Sequence, residues 1–407
     1  DEHAWFQESR DPASAKRDWY IWRPAREGHE PGTPGAEPTN WGSFFGGSGW
    51  QYDERSGEYY LHLFSRKQPD LNWENPEVRQ AIYEMMRWWV DRGVAGFRMD
   101  VVNLLSKRYP LADGRVEPGL PYSTELALVV DGPRMIEFIE EMNEAVGIDA
   151  RELFTVGEMV MATAEKGREY TREDRPRLGM IFTFEHMELD HADHHSKLSL
   201  TRLHMPDLKK TLARWQYELA DVGWNSLYWC NHDQPRIVSR YGDDSPEHRV
   251  ASAKTLATVL HMHRGTPYVY QGEEIGMTNA GFTSLAQYHD IESLGLARQA
   301  MDAGVPEEEV LEALAKVSRD NARTPMQWSA QPNGGFTTGT PWIPVNPNHS
   351  EINVEAALAD PNSVFHHYRK LIALRHNNEI VARGNFELLI PDDERFWVFT
   401  RQLGSER

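Results

Sequence analysis

The first seventy-five residues show no helical period. Apolar positions come singly among Gly, Pro, Trp and Asp, as in "WRPAREGHEPGTPGAEPTNWGSFFGGSGWQYDERSGEYYLHLF". The pieces "GWQYDE" and "EYYLHLF" look like short strands between turns. The stretch is too aromatic to be disordered and reads as an irregular subdomain. At Asn75 the texture changes. "NPEVRQAIYEMMRWWVDRG" offers Asn75 as N-cap, Pro76 at the first helical position, Glu77 in the first turn and Gly93 as the stop. Val78, Ile82, Met85, Met86 and Trp89 are expected to form its buried stripe.

From there helix and strand patterns alternate. "GVAGFRMDVVN" is strand-like, "PRMIEFIEEMNEAV" helical and "LFTVGEM" a strand. "PDLKKTLARWQYELADVG" and "EHRVASAKTLATVLHMHRG" are helical, each followed by a strand, "WNSLYWCNHD" and "TPYVYQGEE". This is the pattern of a parallel α/β sheet. Residues 302–317 form a polar-faced helix in an insertion, and "SVFHHYRKLIALRHNN" is a last long helix. "FELLI" and "RFWVFTRQ" then look like antiparallel strands opening a β-rich module.

Arg98 and Asp100 place opposite charges on one side of a strand-like run. A satisfied structural pair at a strand end would explain them; so would a carboxylate held ionised and aimed into a site. The wider pattern bears on this choice. Asp100, Glu158 and Asp233 each lie at the C-terminal end of an expected strand, with His232 beside the last. In an α/β barrel that rim carries the active site. Three acidic groups at successive strand ends suit glycoside hydrolysis, with one carboxylate as nucleophile, one protonated as general acid and one gripping sugar hydroxyls.

Composition narrows the partners. The 407 residues carry a formal charge of -19, which disfavours nucleic acid and anionic membranes and suits a neutral ligand. One cysteine, Cys230, excludes an internal disulfide framework and fits a reducing, cytoplasmic setting. No stretch approaches the apolar length needed to cross a bilayer. Fourteen tryptophans and fifteen tyrosines could serve as core or as platforms for the apolar face of a sugar ring. The opening "DEHAWFQESR" has neither an initiator methionine nor a signal-peptide pattern and reads as the middle of a longer chain.

"GFRMDVVN", "TVGEM" and "WCNHDQPR" resemble the second, third and fourth conserved regions of the α-amylase superfamily, glycoside hydrolase family 13. "FEHMELD", "YQGEEIGMTN", "SRDNARTPMQW" and "GFTTGTPWIPVNPN" resemble its oligo-1,6-glucosidase group. The resemblance implies a (β/α)8 TIM barrel, of which only strands four to eight are present. It places a domain B-like insertion at 1–78, the partial barrel at 79–378 and the start of a C-terminal β domain at 379–407. It implies Asp100 as nucleophile, Glu158 as acid/base and Asp233 as transition-state stabiliser, with Arg98, His232 and Arg319 on the nucleophile and the sugar. Val101 resembles α-1,6-acting and trehalose-6-phosphate-acting members; Glu292 and Lys197 are expected at the leaving-group sugar. The first conserved region and three barrel strands would lie upstream, so a closed barrel and activity are not expected of this stretch alone. No cofactor is implied, although many members bind calcium in that upstream part.

The expectation is a monomeric α-glucosidase acting on small oligosaccharides. Trehalose-6-phosphate hydrolase is the nearest alternative, needing a basic phosphate pocket, with cations in the loops near 166–177 as candidates. Sucrose isomerase and a non-catalytic interaction barrel are more distant. Asp190, His191, Asp193, His194 and His195 could in principle ligate zinc, but a solvated loop is the expectation and no metal site is assigned. Cys230 is expected to be an apolar structural thiol, and His261 and His263 core or surface residues. Phe182 and Phe184 suit core packing as well as a sugar platform.

Overall fold

A computed structural model describes residues 1–174, 177–192 and 197–406. The chain divides into two compact units. One is Asp1–Met161 with Arg175–Gly179; the other is Ala162–Asp174 with Met180–Arg407.

In the first unit the expected strands Trp50–Asp53 and Glu58–Leu61 pair antiparallel, with Trp22–Arg23 on the other side of the second. A helix not foreseen, Ala4–Ser9, starts where His3 accepts the Trp5 amide hydrogen. Its Phe6 enters a cluster of Trp19, Tyr20, Trp22, Tyr60 and Val78. Much of the aromatic content here is therefore core. A second cluster joins Trp41, Trp50, Tyr59 and Leu61 to Leu104, Val129 and Val130. This mutual packing keeps residues 1–78 in one unit with the strands that follow them.

Helix Pro76–Val90 begins as expected, with the Asn75 side chain accepting from Glu77. Its buried face is different. Val78, Arg79, Tyr83 and Met86 are buried, whereas Met85 and Trp89 are exposed, as is Trp88. Arg79 turns inward because its guanidinium finds Glu141 at 2.8 Å and the Trp73 carbonyl at 2.7 Å. Apolar spacing could not anticipate a buried cation with partners from elsewhere.

Strands Gly96–Met99 and Phe154–Glu158 run parallel, with Arg98 opposite Val156 and Met99 opposite Gly157. Gly96 permits this approach, since a Cβ there would lie 2.0 Å from the Phe154 carbonyl oxygen. Helix Met135–Val146 separates the two strands and ends on Gly147 in the left-handed conformation.

In the second unit, strands Ser226–Tyr228 and Thr266–Tyr268 pair in parallel, connected through helix Arg249–Met262. Strand Met180–Phe182 and helix Ala164–Thr171 were not foreseen. Gly167 lets Trp215 pack on that helix, where a Cβ would meet the indole at 2.5 Å. Of the expected loop cations there, Arg175 lies outside the described residues, and the described ones have acidic neighbours: Lys166 with Glu169, Arg168 with Glu218, Arg172 with Asp174, Arg177 with Glu140. The insertion holds two helices, Ile291–Asp302 and Glu307–Val317, rather than one. Helix Val364–Asn377 and the hairpin Asn385–Leu389/Val398–Gln402 follow as expected. Lys209, fully buried, donates to the carbonyls of Ile390, Asp393 and Phe396 and fixes the hairpin turn. No helix among the described residues is long and apolar enough to cross a membrane.

Candidate active site

The parallel register carries two carboxyls to one level: Met99 faces Gly157, so Asp100 and Glu158 follow side by side. Arg98 bridges them. Its Nη1 lies 2.5 Å from Asp100 Oδ1 and its Nη2 2.8 Å from Glu158 Oε1. Both carboxyls therefore lie within the span of one guanidinium. Closely held carboxyls, at about 5–5.5 Å, are what retaining glycosidases need, against about 6.5–9.5 Å in inverting ones. Their surroundings differ sharply: the side chain of Asp100 is 71% exposed and that of Glu158 4%. Burial, reinforced by the Asp100 charge, outweighs Arg98 and pushes Glu158 up to about 7. One open carboxylate beside one buried, proton-holding carboxyl is the arrangement that a nucleophile and a general acid need.

The backbone after Asp100 is unusual. Val101 has φ 34° and ψ 44°, a left-handed conformation costly for a β-branched residue. The strain aims its amide hydrogen at Glu158 Oε2, 3.3 Å away. Val101 thus touches this pair through its backbone, while its side chain packs in the aromatic cluster below. Asn103, fully buried, locks the two strand ends together. Its Nδ2 donates to the Val160 carbonyl at 2.8 Å and its Oδ1 accepts the Val160 amide at 3.2 Å. Sequence reasoning missed this role, although the asparagine closes the quoted "DVVN".

In the second unit, Asp233 follows strand Ser226–Tyr228, and its amide donates to Asn231 Oδ1 at 2.7 Å. His232 Nε2 lies 3.2 Å from Asp233 Oδ2. Two arginines reach the other oxygen, Arg323 at 2.6 Å and Arg319 at 3.2 Å. Arg323 was not anticipated. It also donates to the His232 carbonyl at 2.8 Å, so it fixes both ends of the His-Asp pair. Its position four residues after Arg319 on helix Asp320–Arg323 was the available signal. Arg319 lies 2.5 Å from Asp290 and 3.2 Å from Glu292. Burial alone would raise Asp290, but Arg319 and the Ser293 amide and hydroxyl hold it below the usual carboxylate range. Lys197 joins from the other side, 2.5 Å from Glu292. Lys197, Glu292, Arg319 and Asp233 therefore form one continuous chain of charge.

The remaining candidates have structural surroundings. Asp190 is paired with Arg240 at 2.7 Å. Asp193, His194 and His195 lie outside the described residues, and among the described residues no group of three acidic, His or Cys side chains could hold a metal ion. Cys230 is buried, and burial pushes its thiol up. His261 and His263 are buried against the carbonyls of Ala257 and Val259. Phe182 packs edge-on against Tyr228 and Tyr268.

Parallel strands ending in carboxyls, one buried and one open under a shared arginine, suit a glycosidase of the two-carboxylate kind. The comparisons with known proteins agree. The chain matches the alpha amylase catalytic-domain family over residues 1–384. It is 53% identical over its whole length to an oligo-1,6-glucosidase of Halalkalibacterium halodurans, covering 71% of that protein. It is 48% identical to a trehalose-6-phosphate hydrolase of Bacillus subtilis, with 100% of this chain and 70% of that one covered. A trehalose-6-phosphate hydrolase structure from Bacillus licheniformis matches at TM-score 0.90 and 45% identity, over 99% of this chain and 70% of the other. The isomaltulose synthase of Erwinia rhapontici matches at TM-score 0.93 and 38% identity, over 100% and 71%. The chain belongs to the α-amylase family of glycoside hydrolases and has its TIM-barrel fold class.

Proposed function

We propose that this protein is a retaining α-glucosidase, removing terminal glucose from short oligosaccharides at α-1,6 and, secondarily, α-1,4 bonds. The observation that carries the reading is the shared guanidinium of Arg98, with open Asp100 on one nitrogen and buried Glu158 on another. Asp100 attacks the anomeric carbon while Glu158 gives its proton to the departing glycosidic oxygen. Glu158 then takes a proton from water, whose oxygen attacks the same carbon and releases the Asp100 carboxylate. Asp233, with His232, Arg319 and Arg323, binds ring hydroxyls and offsets positive charge on the sugar. Lys197 and Glu292 receive the leaving-group sugar. Val101 biases linkage choice, an effect of about 1–3 kcal/mol at most for one methylene-sized difference. Acid, base and nucleophile are all side chains, so the chemistry calls for no cofactor.

We assign residues 1–78 to the inserted subdomain, 79–378 to the barrel segment carrying strands four to eight, and 379–407 to the start of a C-terminal β domain. A single buried thiol suits a reducing, cytoplasmic setting, and we take the protein to act as a monomer.

The second reading is a trehalose-6-phosphate hydrolase, supported by the relatives of that name. It requires a cationic seat for the phosphate. The cations at 166, 168 and 172 are matched with carboxylates, which favours the neutral substrate. Purified protein incubated with isomaltose, maltose and trehalose 6-phosphate, followed by proton NMR, tests both. First-formed α-glucose from isomaltose supports the proposal; β-glucose first, or unchanged turnover in Asp100→Asn, overturns the double displacement.

A further inference from the structure

Trp342 is the most exposed large apolar side chain among the described residues, at 63%. It is not loosely attached. Ile343, next in the chain, is fully buried in a cluster with Phe282 and Tyr288, which anchors the backbone beneath the indole. The indole itself rests on the His289 ring, with centroids 5.8 Å apart and planes inclined by 55°. The backbone amides of His289 and Asp290 are both pinned by Asp320 Oδ2, at 2.7 and 2.9 Å. Asp290 is the carboxylate that holds Arg319, and Arg319 reaches Asp233 and Glu292. A fixed path of contacts thus runs from the charge cluster outward to a bare indole. Along it the side chains go from 24% exposed at Asp233 and 13% at Arg319 to 1% at the anchoring Asp290, and then out to 63% at Trp342.

Leaving an indole in water forgoes favourable burial, and an exposed ring tied to a polar cluster is an arrangement that sugar binding uses. Lys197, Glu292, Arg319 and Asp233 offer only hydrogen bonds and charge. A pyranose also presents an apolar C–H face, which these groups cannot cover. We propose that Trp342 is an outer platform, stacking on the glucosyl unit one beyond the leaving-group sugar taken by Lys197 and Glu292. It binds the third unit of an α-linked glucose chain and favours trisaccharides over disaccharides. The proposal rests on the glucosidase reading above.

The test compares isomaltose and isomaltotriose in the full-length protein and in Trp342→Ala, Trp342→Phe and Phe336→Ala. Phe336 is a half-exposed ring on the same stretch and serves as control. Trp342→Ala is expected to raise KM for isomaltotriose about tenfold, with kcat and all isomaltose constants within twofold of the parent. Trp342→Phe recovers most of the loss, and Phe336→Ala changes nothing. Equal losses on both sugars, or none on either, overturn the platform while leaving the glucosidase reading intact. If the parent hydrolyses neither sugar, the glucosidase reading fails, and isomaltotriose binding is measured by calorimetry. About tenfold weaker binding in Trp342→Ala then supports the platform; unchanged binding, or none by the parent, overturns it.

Discussion

Glu158 lies 2.8 Å from the Arg98 guanidinium and still holds its proton up to about pH 7. A neighbouring cation normally favours the carboxylate; here burial of the side chain is the larger influence. A group acting as general acid must be protonated, so kcat/KM for an unactivated disaccharide is expected to fall as pH rises through about 7. In Glu158→Gln that basic limb should vanish, and disaccharide hydrolysis should drop by about 10²–10⁴-fold. An aryl glucoside with a good leaving group should lose less in its first step. A basic limb that persists unchanged in Glu158→Gln would falsify the assignment.

Arg98 is a fork that serves two carboxyls, and a lysine cannot copy it. Arg98→Lys leaves one partner without a cation, and kcat/KM is expected to fall roughly 100-fold. Arg98→Gln removes the influence that lowers the Glu158 proton affinity, so the basic limb should move to higher pH. pH–rate profiles of both variants check the direction. A limb that moves down would show that Arg98 is not the group restraining Glu158.

The strand ends carrying Asp100 and Glu158 were legible because they fall where an apolar run gives way to polar residues, whereas the strand expected to reach Asp233 stops at Tyr228 and leaves the carboxylate in the turn beyond. The Asn75 cap and the antiparallel hairpins were legible for a similar reason: their signals are local. The misses share a cause as well. Arg79 turns inward on helix Pro76–Val90 because distant groups satisfy it, and it shares the buried face with Val78, Tyr83 and Met86 while Met85 and Trp89 stay exposed. Strand Met180–Phe182 is only three residues long, too short for a period to register. Arg323 lay in a quoted motif, but only the fold brings it 2.6 Å from Asp233, ninety residues earlier in the chain. Residue type and spacing located the carboxylates; which cation holds each one is a tertiary fact.

Arg319 and Arg323 share Asp233, yet their losses should read out differently. Arg319 faces Asp290 and Glu292, both nearly fully buried. Arg319→Met leaves Asp290 with Arg323 at 3.3 Å and Glu292 with Lys197 as their remaining cations, and weakening buried pairs from one side costs up to about 3–5 kcal/mol. A marked drop in Tm is expected. Arg323 faces the partly open Asp233 at 2.6 Å and the His232 carbonyl, and reaches buried Asp290 only at 3.3 Å. Arg323→Met should lower kcat/KM by about 10–100-fold with a much smaller change in Tm. Thermal unfolding and kinetics on the same preparations separate the two; equal effects in both assays would remove the distinction.

Glu273 offers a test of pH dependence away from the reacting carboxyls. It is buried, with the Tyr368 hydroxyl donating to its Oε1 at 2.6 Å, while its Oε2 has no hydrogen-bond partner. Burial pushes it up to about 7 against the opposing pull of Tyr368 and the Cys230 thiol. Between the usual carboxylate range near 4.5 and about 7, the folded chain therefore holds a proton that the unfolded chain has released. Its contribution is fully present below that window, declines as pH rises through it and levels off above. The total is on the order of a few kcal/mol, given about 1.4 kcal/mol per unit of affinity. Glu273→Gln keeps an acceptor for Tyr368 and carries no charge. Its Tm should match the parent near pH 4.5 and exceed it at pH 8. A Tm difference that does not grow with pH would mean that Glu273 is ionised inside the fold at no cost.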